Sequence, residues 1–211
     1  MRPDLTKIRN IIFDLGNVLL NLDFNASVKA FHKLASNRDV VIDNMIYSDP
    51  IFYQLGTGQI SAKEFREGLR KLLQNKTTTD RQLDLAWNAM ILDIPAKRVE
   101  MLQRLSKDYK LYLFSNTNQI HIKKLNSEFL QQHKIEFSSL FIKIFYSHEI
   151  HVYKPDINSY LKVIELAGID TEETLFIDDL EENIEEAKKA GLKTLWLKHG
   201  QEIADVLHLV I

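Results

Sequence analysis

The chain has 211 residues, 45% of them apolar and 27% charged, enough for one large domain or for a domain carrying a smaller inserted one, and unlike a disordered chain. Basic residues number 27 against 29 acidic ones, for a net charge of −2, and no run of five like charges occurs, so no nucleic-acid partner is expected. The lack of cysteine excludes disulfides, thiolate metal sites and cysteine nucleophiles together.

In chain order, the first apolar run is Asn10–Phe13, read as a strand. The wider stretch from Ile11 to Leu20 is broken by Asp14 and Asn17, too short and too polar for a membrane span or signal segment, so no membrane association and a cytoplasmic location are expected. Residues 21–95 show helical periodicity and no convincing strand. Ser61 with Glu64, and Thr79 with Gln82, are capping-box pairs that open two amphipathic helices, and Gly56-Thr57-Gly58 reads as the turn before the first of them. By helical spacing Phe52, Tyr53, Phe65 and Trp87 form the core of this insertion, one or two of them facing the site.

Four further runs read as strands: Leu111–Phe114, Ile142–Tyr146, Thr174–Ile177 and Thr194–Leu197. They are continuously apolar, as in a parallel sheet covered on both faces. Between them lie amphipathic helices at Asp156–Ala167, with Tyr160, Leu161, Ile164 and Leu166 on the apolar side and Gly168 as the stop, and at Leu180–Ala190. The fold class is therefore α/β, a doubly wound parallel sheet of residues 1–20 and 96–211, with an α-helical insertion at 21–95.

Ligand sites in open parallel sheets lie beyond the carboxyl ends of the strands. Polar residues that end the apolar runs are Asp14, Ser115 with Asn116, and the pair Asp178-Asp179; Lys154 follows the third strand. Singly, each has a local explanation: an Asx turn for Asp14, a helix cap for Ser115, a solvated side chain for Lys154. Jointly they place three carboxylates, a hydroxyl and a lysine at one crevice. Adjacent Asp178 and Asp179 repel each other unless a cation sits between them and Asp14, and an all-oxygen cluster suits Mg²⁺.

These residues, in this order and spacing, resemble the four motifs of the haloacid dehalogenase-like superfamily of phosphohydrolases along almost the whole chain. Within it, Asp14-Leu15-Gly16-Asn17-Val18 and Ser115-Asn116-Thr117-Asn118 look most like the branch containing the bacterial α-glucose-1-phosphate phosphatases. The resemblance implies a Rossmann-like core with a helical cap and Asp14 as nucleophile. It also implies Ser115 and Lys154 as catalytic and phosphate-binding groups, and Mg²⁺ held by Asp14, the Gly16 carbonyl, Asp179 and Asp178. The implied reaction is hydrolysis of a small phosphorylated metabolite, such as a sugar phosphate, through an aspartyl-phosphate.

One departure is Gly16, where such phosphatases commonly carry a second Asp that protonates the leaving oxygen; general acid–base help is typically worth about 10²–10⁴-fold. Asp23 is a candidate substitute, although a turn or helix-capping role fits it better. Asn183, one helical turn after Asp179, either supports the acidic pair or caps a loop; Asn17 either adopts positive φ or turns its amide to the phosphate, and Asn116 lies at the phosphate end. His148-Glu149-Ile150-His151 lacks the i, i+4 spacing of a zinc helix and reads as a surface loop, and His121 as a residue on the exposed face of the next helix. Two other functions remain open: carbon–halogen hydrolysis, which needs no acid at position 16, and a catalytically silent binding protein.

Overall fold

A computed structural model describes residues 7–36 and 49–208. Five parallel strands, β1 (Asn10–Phe13), β2 (Lys110–Ser115), β3 (Lys143–Tyr146), β4 (Thr174–Asp178) and β5 (Lys193–Trp196), form one sheet in the order β3-β2-β1-β4-β5. The doubly wound reading holds. β1 is central, so the chain leaves it to one side for β2 and β3 and returns past it to β4, and this reversal opens a crevice above the carboxyl end of β1.

Alternation along the strands divides the core. Ile11, Phe13, Leu111, Leu113, Leu175 and Ile177 project to one face, into a core continuous with Phe31, Phe65 and Trp87 from the insertion. Ile12, Tyr112, Phe114, Phe145 and Phe176 project to the other and meet α8 (Ile157–Ala167) and α9 (Glu181–Lys189). The outer strands are less enclosed than their apolar runs imply: Lys143 at the start of β3 and Trp196 at the end of β5 are exposed, because each strand forms an edge. Helix α8 starts and stops where expected, capped by Asp156 and by Gly168 in the left-handed conformation. Its buried face is Ser159, Tyr160 and Val163, whereas Leu161 and Leu166, expected inside, are largely exposed.

Between β1 and β2 the described residues form α1 (Phe24–Leu34), α2 (Pro50–Gly56), α3 (Ala62–Leu72), α4 (Asp80–Trp87) and a 3-10 turn, followed by α5 (Ala96–Leu105). Both capping boxes are present, with Ser61 accepting from the Glu64 N–H and Thr79 from the Gln82 N–H. Asp23 caps α1 by accepting from the Ala26 N–H, which assigns it the local role. After β2 come α6 (Gln119–His133) and, directly after β3, the single-turn helix α7 (Ser147–Ile150). The His148–His151 stretch is thus largely helical, not a loop. At the far end α10 (Ile203–His208) packs on α5, and the buried Arg98 guanidinium of α5 binds Glu202 and the Leu19 carbonyl.

The insertion is tied to the sheet through main-chain groups. The fully buried Ser147 hydroxyl donates to the Gly56 carbonyl at 2.6 Å and accepts the Thr117 N–H at 2.9 Å. His151 donates through Nδ1 to the Thr57 carbonyl at 2.9 Å. Gly58, at φ +70°, lies so close to the His148 carbonyl that a Cβ would stand 2.2 Å from its oxygen, so this turn admits no other residue in place. Removing the Ser147 hydroxyl orphans one buried donor and one buried acceptor. Ser147→Ala is expected to lower stability by about 1–3 kcal/mol in urea denaturation.

Candidate active site

Asp14 is the first residue beyond β1, and its N–H donates to the Ile177 carbonyl of the neighbouring strand at 2.9 Å, so the nucleophile candidate is positioned by the sheet itself. Ser115 ends β2, and Asp178 ends β4 with Asp179 next. All four line or adjoin one crevice, and Lys154 reaches it from the segment between α7 and α8.

Lys154 is 2% exposed. Its ammonium donates to Asp14 Oδ1 and Asp178 Oδ2, each at 2.7 Å, and to the Phe114 carbonyl at 3.2 Å, while lying 5.1 and 5.4 Å from the ring centres of Phe114 and Phe176. Burial works to lower its pKa, but Asp14 and Asp178 outweigh it and hold the ammonium above the ordinary lysine value. Burial pushes the Asp14 carboxyl up to about 7, Lys154 opposing and Asp178 and Asp179 adding to the rise. Asp179 is raised too, first by burial, with the Asn17 hydrogen bond opposing.

The amides are already engaged. Asn116 exchanges two hydrogen bonds with the Lys154 main chain, at 2.8 and 2.9 Å, so its side chain positions the lysine, and what it offers a ligand is its N–H. Asn183 donates to Asp178 Oδ1 at 2.9 Å, alongside the Leu180 N–H. Asn17 has the positive φ of its first reading, +53°, and its amide donates to Asp179 Oδ2 at 3.1 Å. At Gly16 a Cβ would stand 2.9 Å from Leu22 Cδ1 and 3.9 Å from Asp14 Oδ2; an apolar side chain fills the space beside the carboxylate.

Three carboxylates against one lysine leave surplus negative charge. One oxygen from each of Asp14, Asp178 and Asp179 lies within 4.8 Å of the others, a separation and a donor set that fit a hard cation such as Mg²⁺.

His121 departs from expectation: it is buried, its ring tilted by 32° against Trp87 at 4.6 Å between ring centres, with Nδ1 donating to Asn88 Oδ1 at 2.9 Å. The first turn of α6 faces the crevice because Asn118 caps it there, accepting from the Ile120 and His121 N–H groups. Two contributors escaped the sequence reading. Ser147 carries the same signal as Ser115, a hydroxyl ending an apolar strand, and Tyr153 borders the cavity immediately before Lys154. Phe52, Tyr53 and Trp87 line the cavity too, more of the insertion than expected, whereas Leu85 of α4 points to solvent.

Comparison with protein families matches residues 8–191 to the haloacid dehalogenase-like hydrolases. The chain belongs to that family. A D-ribitol-5-phosphate phosphatase from Bacteroides thetaiotaomicron is 29% identical to this haloacid dehalogenase-like hydrolase over 97% of the chain and 98% of the relative. A crystal structure of a family enzyme from the same organism superposes with a TM-score of 0.88 at 34% identity, covering 95% of this chain and 98% of that one. That enzyme has also been solved with magnesium and with magnesium plus inorganic phosphate. A family hydrolase from Porphyromonas gingivalis gives a TM-score of 0.87 at 30% identity, covering 97% and 98%. The L-2-haloacid dehalogenase of Xanthobacter autotrophicus, at 18% identity and a TM-score of 0.61, shares the fold. Among the described residues no helix is long and apolar enough to cross a membrane.

Burial lowers the His121 pKa to about 3, from an ordinary value of 6.5. Between those values the unfolded chain binds a proton that the folded chain refuses, so this residue's contribution to stability falls as pH drops through the window. Chemical denaturation at about pH 7 and about pH 4.5 is expected to show a loss roughly 2 kcal/mol greater for the parent than for His121→Gln.

Proposed function

We propose that this hydrolase is a Mg²⁺-dependent phosphatase of small phosphorylated metabolites, sugar phosphates among them, working through a phosphoaspartate on Asp14. The observation that carries the reading is the asymmetric Asp14 carboxylate: Oδ1 is held by Lys154, while Oδ2 accepts no hydrogen bond from a described residue and lies beside Gly16 at the cavity. The phosphatase-named relative, similar over nearly its whole length, supports the same chemistry.

Asp14 Oδ2 attacks phosphorus, the ester P–O bond breaks, and the alcohol departs. Water then attacks the phosphoaspartate, releasing phosphate and restoring the carboxylate. Lys154 balances charge on Asp14 and on the transferring group. The Ser115 hydroxyl and the main-chain N–H groups after Asp14 and Ser115 hold the phosphoryl oxygens. Asp14, Asp179 and the Gly16 carbonyl, with Asp178 in support, would hold Mg²⁺, which would supply positive charge to offset the repulsion between carboxylate and phosphate. Asp178 already accepts hydrogen bonds from Lys154, Leu180 and Asn183, which suits it to a supporting place. Asn17 orients Asp179, and Asn183 orients Asp178. No carboxyl stands at position 16, so the leaving oxygen takes its proton from water.

Residues 21–95 act as the cap over a core of 1–20 and 96–211, since Leu22, Phe52, Tyr53 and Trp87 bring the insertion's side chains to the cavity. Carbon–halogen hydrolysis is the weaker reading, because a metal-free reaction has no use for three mutually repelling carboxylates.

Purified protein is expected to hydrolyse p-nitrophenyl phosphate with Mg²⁺ and to stop with EDTA. Asp14→Asn should fall to roughly a thousandth or less of the parent rate, and Asp179→Asn should need about 10–100-fold more Mg²⁺ for half-maximal rate. Activity surviving Asp14→Asn or EDTA would overturn the assignment. A panel including glucose 1-phosphate and ribitol 5-phosphate then ranks the substrates.

A further inference from the structure

The cavity above the carboxylates encloses about 560 Å³, room for a phosphate and a leaving group of monosaccharide size. Asp14, Ser115 and Lys154 define its phosphate end. Beyond them the wall is built from two aromatic groups. In one, Phe52 packs on Trp87 at 5.1 Å and Trp87 on His121 at 4.6 Å between ring centres. In the other, Tyr53 and Tyr153 meet at 5.3 Å, with Gly56 so close beneath Tyr153 that a Cβ would stand 2.9 Å from its Cε2. Leu22, Met90 and Leu125 extend the apolar surface.

The charges are one-sided. Among the described lining residues Lys154 is the sole Lys or Arg, and its ammonium is already shared by Asp14 and Asp178. His121 donates its Nδ1–H to Asn88 and is buried in neutral form. Asp179 and Glu182 add negative charge to the wall. A second anionic group on a substrate would find no further cation among the described lining residues, and each hydroxyl pressed on an aromatic face would give up hydrogen bonds to water without replacement.

We infer that the alcohol half of the substrate is uncharged and presents an apolar face, a ring in preference to an open polyol chain, packed against Phe52, Trp87 and Tyr153. This rests on the phosphatase reading of the same site. Cyclic sugar phosphates, with a C–H face, belong to the class; open-chain polyol phosphates lie at its edge, and phospho-acids and bisphosphates fall outside it.

The test compares kcat/KM for cyclohexylmethyl phosphate, benzyl phosphate, 4-carboxybenzyl phosphate and ribitol 5-phosphate in the Mg²⁺-loaded enzyme. Cyclohexylmethyl phosphate is expected to exceed ribitol 5-phosphate by about tenfold or more, and benzyl phosphate to exceed its carboxylated form by a similar factor, each tenfold being one decade of differential binding. Tyr53 is 53% exposed on α2, so Tyr53→Arg adds a guanidinium to the wall at a tolerant position and should narrow the benzyl to carboxybenzyl ratio about tenfold. Equal or reversed preferences in the parent, or an unchanged ratio in the Tyr53→Arg variant, would overturn the inference. The matching phosphonates, scored by competition or thermal shift, give the same ranking without turnover. Failure to hydrolyse any ester would therefore count against the phosphatase reading, while the phosphonate order still decides the substrate class.

Discussion

The Lys154 ammonium sits with almost no water, held between two carboxylates, a carbonyl and two aromatic faces. A buried charge is tolerable only where its compensation is fixed in place, and here three strands fix it: β1 brings Asp14, β2 the Phe114 carbonyl, β4 Asp178. The parallel register sets those ends level, because Phe13 pairs with both Leu113 and Ile177. Asn116 then closes on the Lys154 main chain, so the lysine is held from its backbone as well as its tip. The strand reversal at β1 opens the crevice and this ionic arrangement fills its floor, and the surplus carboxylate charge beside it is what makes a divalent cation fit.

The site was legible in the sequence because its residues interrupt otherwise apolar runs. A polar residue at the end of a strand buried on both faces stands out, and Asp14, Ser115 and the Asp178-Asp179 pair all stand there. The helix caps were equally readable, since Ser61 with Glu64 and Thr79 with Gln82 act within one turn of chain. What was not legible depends on rotation and long-range packing. His121 carries nothing in its neighbourhood to say that the first turn of α6 faces Trp87. Leu161 and Leu166 look like core residues by composition, yet the buried face of α8 turns on Tyr160, whose ring meets Phe114 and Phe176, with Ser159 and Val163 beside it.

The two halves of the cavity obey different physics. The end at Asp14, Lys154 and the Asp178-Asp179 pair is polar and crowded with charge, most of it held by hydrogen bonds and ion pairs within the protein. The far end is a surface of rings and aliphatic groups, which offers a ligand shape and apolar contact in place of charge. Gly16 lies at the boundary: Leu22, not an acid, fills the space beside Asp14 and carries the apolar surface right up to its carboxylate.

The central place of β1 also governs how the protein is made. The strand is complete once Phe13 leaves the ribosome, but its partners begin at Lys110 and Thr174. Until β2 and then β4 are synthesised, an apolar four-residue strand has both edges open, and the 164-residue separation of Asn10 from Thr174 makes the second pairing slow to close. A nascent chain stalled before Asp178 would hold Lys154 with only one of the two carboxylates that its ammonium binds. Such a fragment exposes unpaired strand edges, the surface that chaperones bind and that aggregation exploits.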